Sequence, residues 1–364
     1  RLRLRPFFAF RDKHALTHAN MEADGRSRPI PGGVKCRLYS DFPWLYLQTD
    51  CRDAEFVPAP DWYYNFEYAR EIERGYEGDE DLLTTGYFEL SLGRRQSVIF
   101  SASVEAIPDP AAIGGMFAEA LSARSRKVDF LSCLRHSARQ FVVRRRDGRA
   151  EVLAGYPQIG RQTLVALPGI ALEQGRTEDC LDVLDTVVRG RRDGMFTGSF
   201  SAAEAADAPL WFFWVLQQLQ RTLGEEEIWK RYGIVMKELL AAYRRGVGGV
   251  AVHDNGLVWA SAPDKALTWM NALAGGVPVV SRDGYPVEIN ALWYNAVCYA
   301  LELASCFGEE EFVGEWKAWP ERIRNAFREM FWSGDDGYLA DFVGPEGPNR
   351  WIRPNMVVAC GLDY

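Results

Sequence analysis

The residues with chemistry to offer gather in a few stretches. Gly155 to Gly169 reads GYPQIGRQTLVALPG and Asp207 to Trp214 reads DAPLWFFW. Thr268 to Asn295 reads TWMNALAGGVPVVSRDGYPVEINALWYN, and Trp351 to Asn355 reads WIRPN. Each sets Arg, Asp, Glu or Asn beside Trp or Tyr where a loop runs into a helix. This is the composition of a carbohydrate pocket. Polar side chains take sugar hydroxyls in pairs, and indole or phenol faces cover the C–H side of the ring.

The elements that must position these residues follow from apolar spacing. Arg1 to Phe10 begins with strict alternation, and WLYLQ (44–48), YFELSL (87–92) and SVIFSAS (97–103) are strand-like. PIPGG, VPAPD and GYEGDED between them read as turns or loops. Residues 1–106 are therefore expected to form part of an antiparallel β-sandwich. Asp109-Pro110 fits an N-cap followed by a first-turn proline. Helical spacing then runs to about Arg146, so 107–150 reads as a linker helix and turn. Its basic stretch (Arg135, Arg139, Arg144, Arg145, Arg146 and Arg149) fits an exposed helix end.

From residue 151 to 364 the chain reads as mainly helical, with segments near 161–174, 177–190, 202–222, 225–245, 286–306 and 309–332. Successive helix pairs with long loops before every second helix suggest an α/α toroid. The irregular region 247–285 is where function is expected, because long loops inside a helical array usually carry it. GGVGGVAVH lacks the Lys-Ser/Thr and the strand–loop–helix context of a phosphate loop. His253 reads as structural.

Composition sets the outer bounds. The chain has 364 residues, a formal net charge of -8, 48% hydrophobic and 25% charged residues. Such values suit a folded chain rather than a disordered one. The acidic balance argues against a general nucleic-acid binder. Apolar runs are too short to cross a bilayer, and no signal peptide is evident. The seven scattered cysteines lack a CxxC and read as free thiols, so a cytoplasmic location is expected. The four histidines lack metal-ligand spacing. The twelve tryptophans fit a large helical core together with some sugar platforms.

These stretches resemble the glucosidase part of glycogen debranching enzyme, amylo-α-1,6-glucosidase (glycoside hydrolase family 133). LRPFFAFRDKHALTHAN and WYYNFEYAREIERGYEGDEDLLTTGYFEL are similar to the end of that family's N-terminal β-domain. GRQTLVALPG, ADAPLWFF, LTWMNA, RDGYPVEINALWYNA and IRPN are similar to successive landmarks of its (α/α)6 domain. The resemblance spans nearly the whole chain and looks cut at both ends. It implies an (α/α)6 toroid, here incomplete, that hydrolyses α-1,6-linked glucose at glycogen branch points by inversion, without metal or cofactor. The implied partner is glycogen or a branched maltooligosaccharide.

Inversion needs one carboxylic acid to protonate the leaving oxygen and one carboxylate to activate water. Relatives usually read Thr-Trp-Met-Asp where this chain has Thr268-Trp269-Met270-Asn271. The resemblance makes that Asp the proton donor, and an amide has no proton to give near neutrality. Relatives also read Trp-Gly-Arg-Asp-Thr where this chain has Ile159-Gly160-Arg161-Gln162-Thr163. The family's general base is expected beyond Tyr364. Hydrolysis is therefore expected to be impaired, and a glucan-binding relative without activity is the competing reading.

Arg161, Gln162, Asp207, Trp269, Arg282, Glu288, Trp293, Arg353 and Asn355 stand where the resemblance implies substrate contacts. Six of them have a plainer reading as well. Glu288 and Asp207 fit helix caps, Arg161 and Arg353 fit ion pairs at the core edge, and Trp269 and Trp293 fit the core. Asp254 and Asp264, in the irregular loop, are the alternatives for a replacement acid.

Overall fold

The computed structural model describes the chain apart from residues 13–14, 125–126, 146, 153–159, 193–194, 197–205 and 264. Arg146, Asp264 and the 153–159 part of the first sugar-type stretch thus lie outside the described residues. The chain forms two compact units, Arg1–Arg126 and Lys127–Tyr364. Helix and strand are mixed, with more strand than a mainly helical chain would show.

In the first unit β1 (Leu2–Leu4), β2 (Ser27–Ile30), β3 (Gly33–Cys36), β4 (Leu45–Thr49), β5 (Glu55–Glu67), β6 (Asp79–Leu90) and β7 (Phe100–Ser103) build two antiparallel sheets. Their orders are β1-β6-β5 and β2-β3-β4-β7. Val34, Cys36 and Leu47 from one sheet share a buried cluster with Leu83 and Phe88 from the other. VPAPD, expected to be a loop, instead lies within β5. That strand is at the sheet edge, where Pro58 and Pro60 break no interior ladder, and the register shifts between Pro58 and Asp61. GYEGDED likewise ends inside β6, after the short helix α1 (Ala69–Glu73).

The helix expected over 109–146 is broken. Asp109 does cap a short 3-10 turn, accepting from the Ala111 backbone N–H at 3.0 Å. It is followed by α2 (Ile113–Ser122) in the first unit and α3 (Phe130–Arg139) in the second. Val142–Arg144 then pairs as a strand with Ala150–Val152. Arg144 forms ion pairs with Asp179 and Asp182, and Arg149 with Asp147.

The remaining helices of the second unit are α4 (Arg161–Ile170), α5 (Thr177–Arg189), α6 (Ala208–Leu223), α7 (Glu225–Arg245), α8 (Val287–Cys306), α9 (Glu310–Trp316), α10 (Trp319–Phe331) and α11 (Asn355–Cys360). The single helix expected over 309–332 is split at Lys317-Ala318. Pro320 cannot donate to residue 316 and is accommodated only in a new first turn. Helix α8 is apolar nearly all round, and packs against α6, α7, α9, α10 and α11. Its buried Asn295 is matched by Gln217 of α6: Asn295 Nδ2 donates to Gln217 Oε1 at 2.8 Å and Gln217 Nε2 donates back to Asn295 Oδ1 at 3.3 Å. Among the described residues no helix is long and apolar enough to cross a membrane.

Candidate active site

The N-terminus of α8 is fixed from several directions. The Val258 backbone N–H donates to Asn290 Oδ1 at 2.7 Å, and Asn290 Nδ2 donates to the carbonyls of Val258 and Pro286, each at 3.0 Å. Tyr285-Pro286 pairs with the strand Phe342–Gly344. Gly284 makes that approach possible: its φ is +140°, and a Cβ there would lie 2.2 Å from the Val343 carbonyl oxygen. These pairings draw together Arg282, just before the strand, Glu288, in the first turn of α8, and Asp341, just before the partner strand.

The resulting cluster is buried and fully occupied. Arg282 grips Glu288 with both Nη atoms, Nη2 to Oε2 at 2.8 Å, and donates from Nε to Asp341 Oδ2 at 3.1 Å. Arg282 Nη2 also reaches the Asp341 carbonyl oxygen at 2.8 Å and Oδ1 at 3.2 Å. Arg353 Nη1 donates to Asp341 Oδ2 at 2.6 Å, and Asn355 Nδ2 donates to Asp341 Oδ1 at 2.6 Å. Asn355 Oδ1 in turn accepts from Trp269 Nε1 at 2.6 Å. Asp341, wholly buried at 0% exposure, is thus the hub linking the Arg282 loop, the Arg353–Asn355 turn and the Trp269 loop. Sequence reasoning passed over it.

A second ion pair lies beside this cluster in the same unit. Arg161, opening α4, donates from Nε to Asp207 Oδ2 at 2.5 Å, and Trp211 Nε1 donates to the same oxygen at 3.1 Å. Asp207 sits at the N-cap position of α6 but makes no side-chain cap hydrogen bond, so the arginine and the indole hold it instead. Arg161 Nη2 and Asp207 Oδ1 are buried without a hydrogen-bond partner among the described residues. One donor and one acceptor are therefore left over at this pair, each costly to leave unmet.

Electrostatically the floor is balanced, with Arg161, Arg282 and Arg353 against Asp207, Glu288 and Asp341. Burial pushes the Glu288 carboxyl above the usual range; the Arg282 contact opposes this, and the nearby Asp207 charge adds to it. Burial also pulls the Arg282 guanidinium down, but Glu288 and then Asp341 outweigh it and hold the group above its ordinary value. Two carboxylates on one shared arginine make a rigid, polar, water-poor surface with fixed donors and acceptors.

The other expected residues fall elsewhere. Asn271 and Gln162 are exposed, Asn271 in the loop after Trp269 and Gln162 on α4. Trp293 is fully buried: it stacks on Tyr243, meets Trp316 edge-on and donates to the Gly256 carbonyl at 3.0 Å. It is a core residue, and the structure keeps it out of the cluster. Trp269 is 43% exposed despite its hydrogen bond to Asn355. Asp254 is exposed, and His253 Nδ1 lies 2.7 Å from the Tyr285 hydroxyl. No group of three or more His, Cys, Asp or Glu side chains fit to hold a metal ion occurs among the described residues.

Comparison with known proteins places this arrangement. Residues 136–364 match the family described as amylo-alpha-1,6-glucosidase, and residues 1–99 match the glycogen debranching enzyme N-terminal domain. No curated protein matches the chain. Among solved structures the chain is similar to a GH78 family rhamnosidase of Bacillus sp. GL1, at 16% identity and a TM-score of 0.47, covering 92% of this chain and 37% of that one. It is also similar to a rhamnosidase from Klebsiella oxytoca with rhamnose bound, at 14% identity and a TM-score of 0.46, covering 92% of this chain and 69% of that one. A bacterial glucoamylase complexed with acarbose matches at 9% identity and a TM-score of 0.46, covering 87% of this chain and 50% of that one. With the matched region extending from α3 through the whole Asp341-centred cluster, the chain belongs to the amylo-alpha-1,6-glucosidase family of glycogen debranching proteins.

Proposed function

We propose that the protein recognises α-1,6-linked glucose at glycogen branch points, in a site of the inverting debranching type whose proton-donor position carries Asn271. In this reading 151–364 contributes to an (α/α)6 toroid, 1–106 to a β-sandwich, 107–150 links them, and the protein works in the cytoplasm without a metal or cofactor. The observation that carries it is the Asp341 cluster. Residues from separate motifs of the resemblance gather there: Arg282, Arg353 and Asn355 bind the buried Asp341 carboxylate, Glu288 joins through Arg282 and Trp269 through Asn355.

Chemically the step needs a proton on the bridging oxygen and a water activated from the opposite face, with the two carboxyl groups roughly 6.5–9.5 Å apart. The buried carboxylates Asp207, Glu288 and Asp341 are each held by an arginine. Of the three, Asp207 alone keeps an oxygen, Oδ1, without a hydrogen-bond partner among the described residues. Asn271 supplies hydrogen bonds but no acid. Binding is thus preserved while protonation is slowed.

The test is glucose release from a phosphorylase-limited dextrin by the full-length protein and by its Asn271→Asp and Gln162→Asp variants. Asn271→Asp is expected to accelerate release by about 10²–10⁴-fold, the usual contribution of a positioned general acid. Release by the unsubstituted protein as fast as by Asn271→Asp refutes the assignment of the donor. Asn271 also favours a second reading, a glucan-binding relative with a regulatory or scaffolding role. That reading gains if neither variant turns over while calorimetry still records maltooligosaccharide binding.

A further inference from the structure

An indole that is open to solvent and at the same time held in place is a ready stacking surface. Trp351 is 61% exposed, yet it is held rigidly. The Arg353 guanidinium lies 4.4 Å from its ring centroid, and that guanidinium is itself fixed on buried Asp341 at 2.6 Å. One face of the indole carries the arginine, so the exposed area must lie largely on the other. Trp269, 43% exposed, is pinned through the same carboxylate by way of Asn355. Two open indoles are therefore immobilised by one buried anion.

We infer that Trp351, together with Trp269, forms an aromatic platform that carries a stretch of α-glucan chain beside the polar floor. The inference rests on the glucan reading of the site and extends it to a residue outside the floor. The balance of charges selects the occupant. The arginines of the floor are matched by carboxylates, so nothing there calls for a charged ligand, whereas a neutral polyhydroxylated chain with apolar C–H faces suits both surfaces. Rigid display matters because an indole already locked in place loses little entropy when a sugar stacks on it.

Isothermal titration of the protein with maltohexaose tests this. Trp351→Ala is expected to weaken binding by about tenfold or more, the scale of a lost stacking contact, and Trp351→Tyr to recover most of it. Val357→Ala, at a nearby exposed residue of α11, is the control and should bind as the unsubstituted protein does. Thermal unfolding of Trp351→Ala should shift by no more than about 2–4 °C, the scale of one exposed cation–π contact, which separates recognition from folding. Binding by Trp351→Ala equal to that of the unsubstituted protein overturns the platform and leaves the glucan reading standing. Absence of maltohexaose binding by the unsubstituted protein overturns both. A Trp351→Ala protein that binds normally but changes its oligomeric state on gel filtration identifies the face as a protein contact and also overturns the platform.

Discussion

Replacing Asp341 by Asn keeps shape and volume but removes the charge at the hub. Asp341 Oδ2 takes Arg353 at 2.6 Å and Arg282 Nε at 3.1 Å, while Oδ1 takes Asn355 at 2.6 Å. An amide has one acceptor oxygen and one NH2 group. Whichever way it is turned, its NH2 faces a donor, either Arg353 or Asn355. Arg282 and Arg353 are then left with Glu288 as the one remaining carboxylate of the cluster. Breaking a buried ion pair by removing one partner typically costs about 3–5 kcal/mol. For a unit spanning 127–364, a loss of about 1 kcal/mol lowers Tm by roughly 2 °C, so Asp341→Asn should unfold about 6–10 °C earlier. The assay is thermal unfolding followed by far-ultraviolet circular dichroism, with tryptophan emission recorded in parallel because Trp269 is tied to the hub through Asn355. A shift below about 2 °C, with unchanged emission, would refute the claim that Asp341 organises the site.

Other outcomes follow from the same physics. Gly284→Ala forces a side chain into a positive-φ position 2.2 Å from the Val343 carbonyl oxygen, so urea unfolding should show a loss of more than about 2 kcal/mol. In the first unit, buried Glu80 accepts from Arg11, from the Tyr68 hydroxyl at 2.7 Å and from the Thr17 backbone at 3.3 Å. Burial pushes its carboxyl up, but these partners outweigh burial and hold it below the ordinary value of 4.5. A carboxyl so depressed contributes stability above pH 4.5 that is lost as pH falls through its own lower value. Glu80→Gln should therefore be less stable at neutral pH and should flatten the acid limb of a stability–pH curve; an unchanged limb counts against the assignment. Burial pushes the Cys36 and Cys180 thiols up to about 12, whereas Cys133, Cys306 and Cys360 are exposed. A thiol reagent at pH 8 should label the exposed three quickly and the buried two only on unfolding.

How much of the site could be read in advance depended on where each residue sits. Arg282, Glu288, Arg353 and Asn355 lie in stretches rich in Gly, Pro and aromatics at loop-to-helix junctions, and that pattern singles them out. Asp341 does not share it. It stands in Leu339-Ala340-Asp341-Phe342-Val343, before a short strand, and a search for loop-to-helix junctions passes it by. The signal was still present, because a lone carboxylate among apolar residues is buried only if it has partners. Trp293, which the sequence left open between sugar contact and core, packs in the core. It lies close to the sugar-type residues in sequence, but helical periodicity turns it into the core of α8, opposite Tyr243. For the fold, apolar period located most helices of the second unit, while Pro58 and Pro60 concealed β5, since prolines mark a loop only where the backbone N–H is needed. Pair geometry across the Tyr285-Pro286 and Phe342–Gly344 strands, which brings Arg282 to Asp341, is a long-range property that no local window contains.

The most direct test of the account is a crystal structure of the protein with an α-1,6-branched maltooligosaccharide bound. The account predicts the terminal glucose on the Arg161, Asp207, Arg282 and Glu288 floor, with the carboxamide of Asn271 hydrogen-bonded to the bridging oxygen. A carboxyl group from any other residue on that oxygen would contradict it.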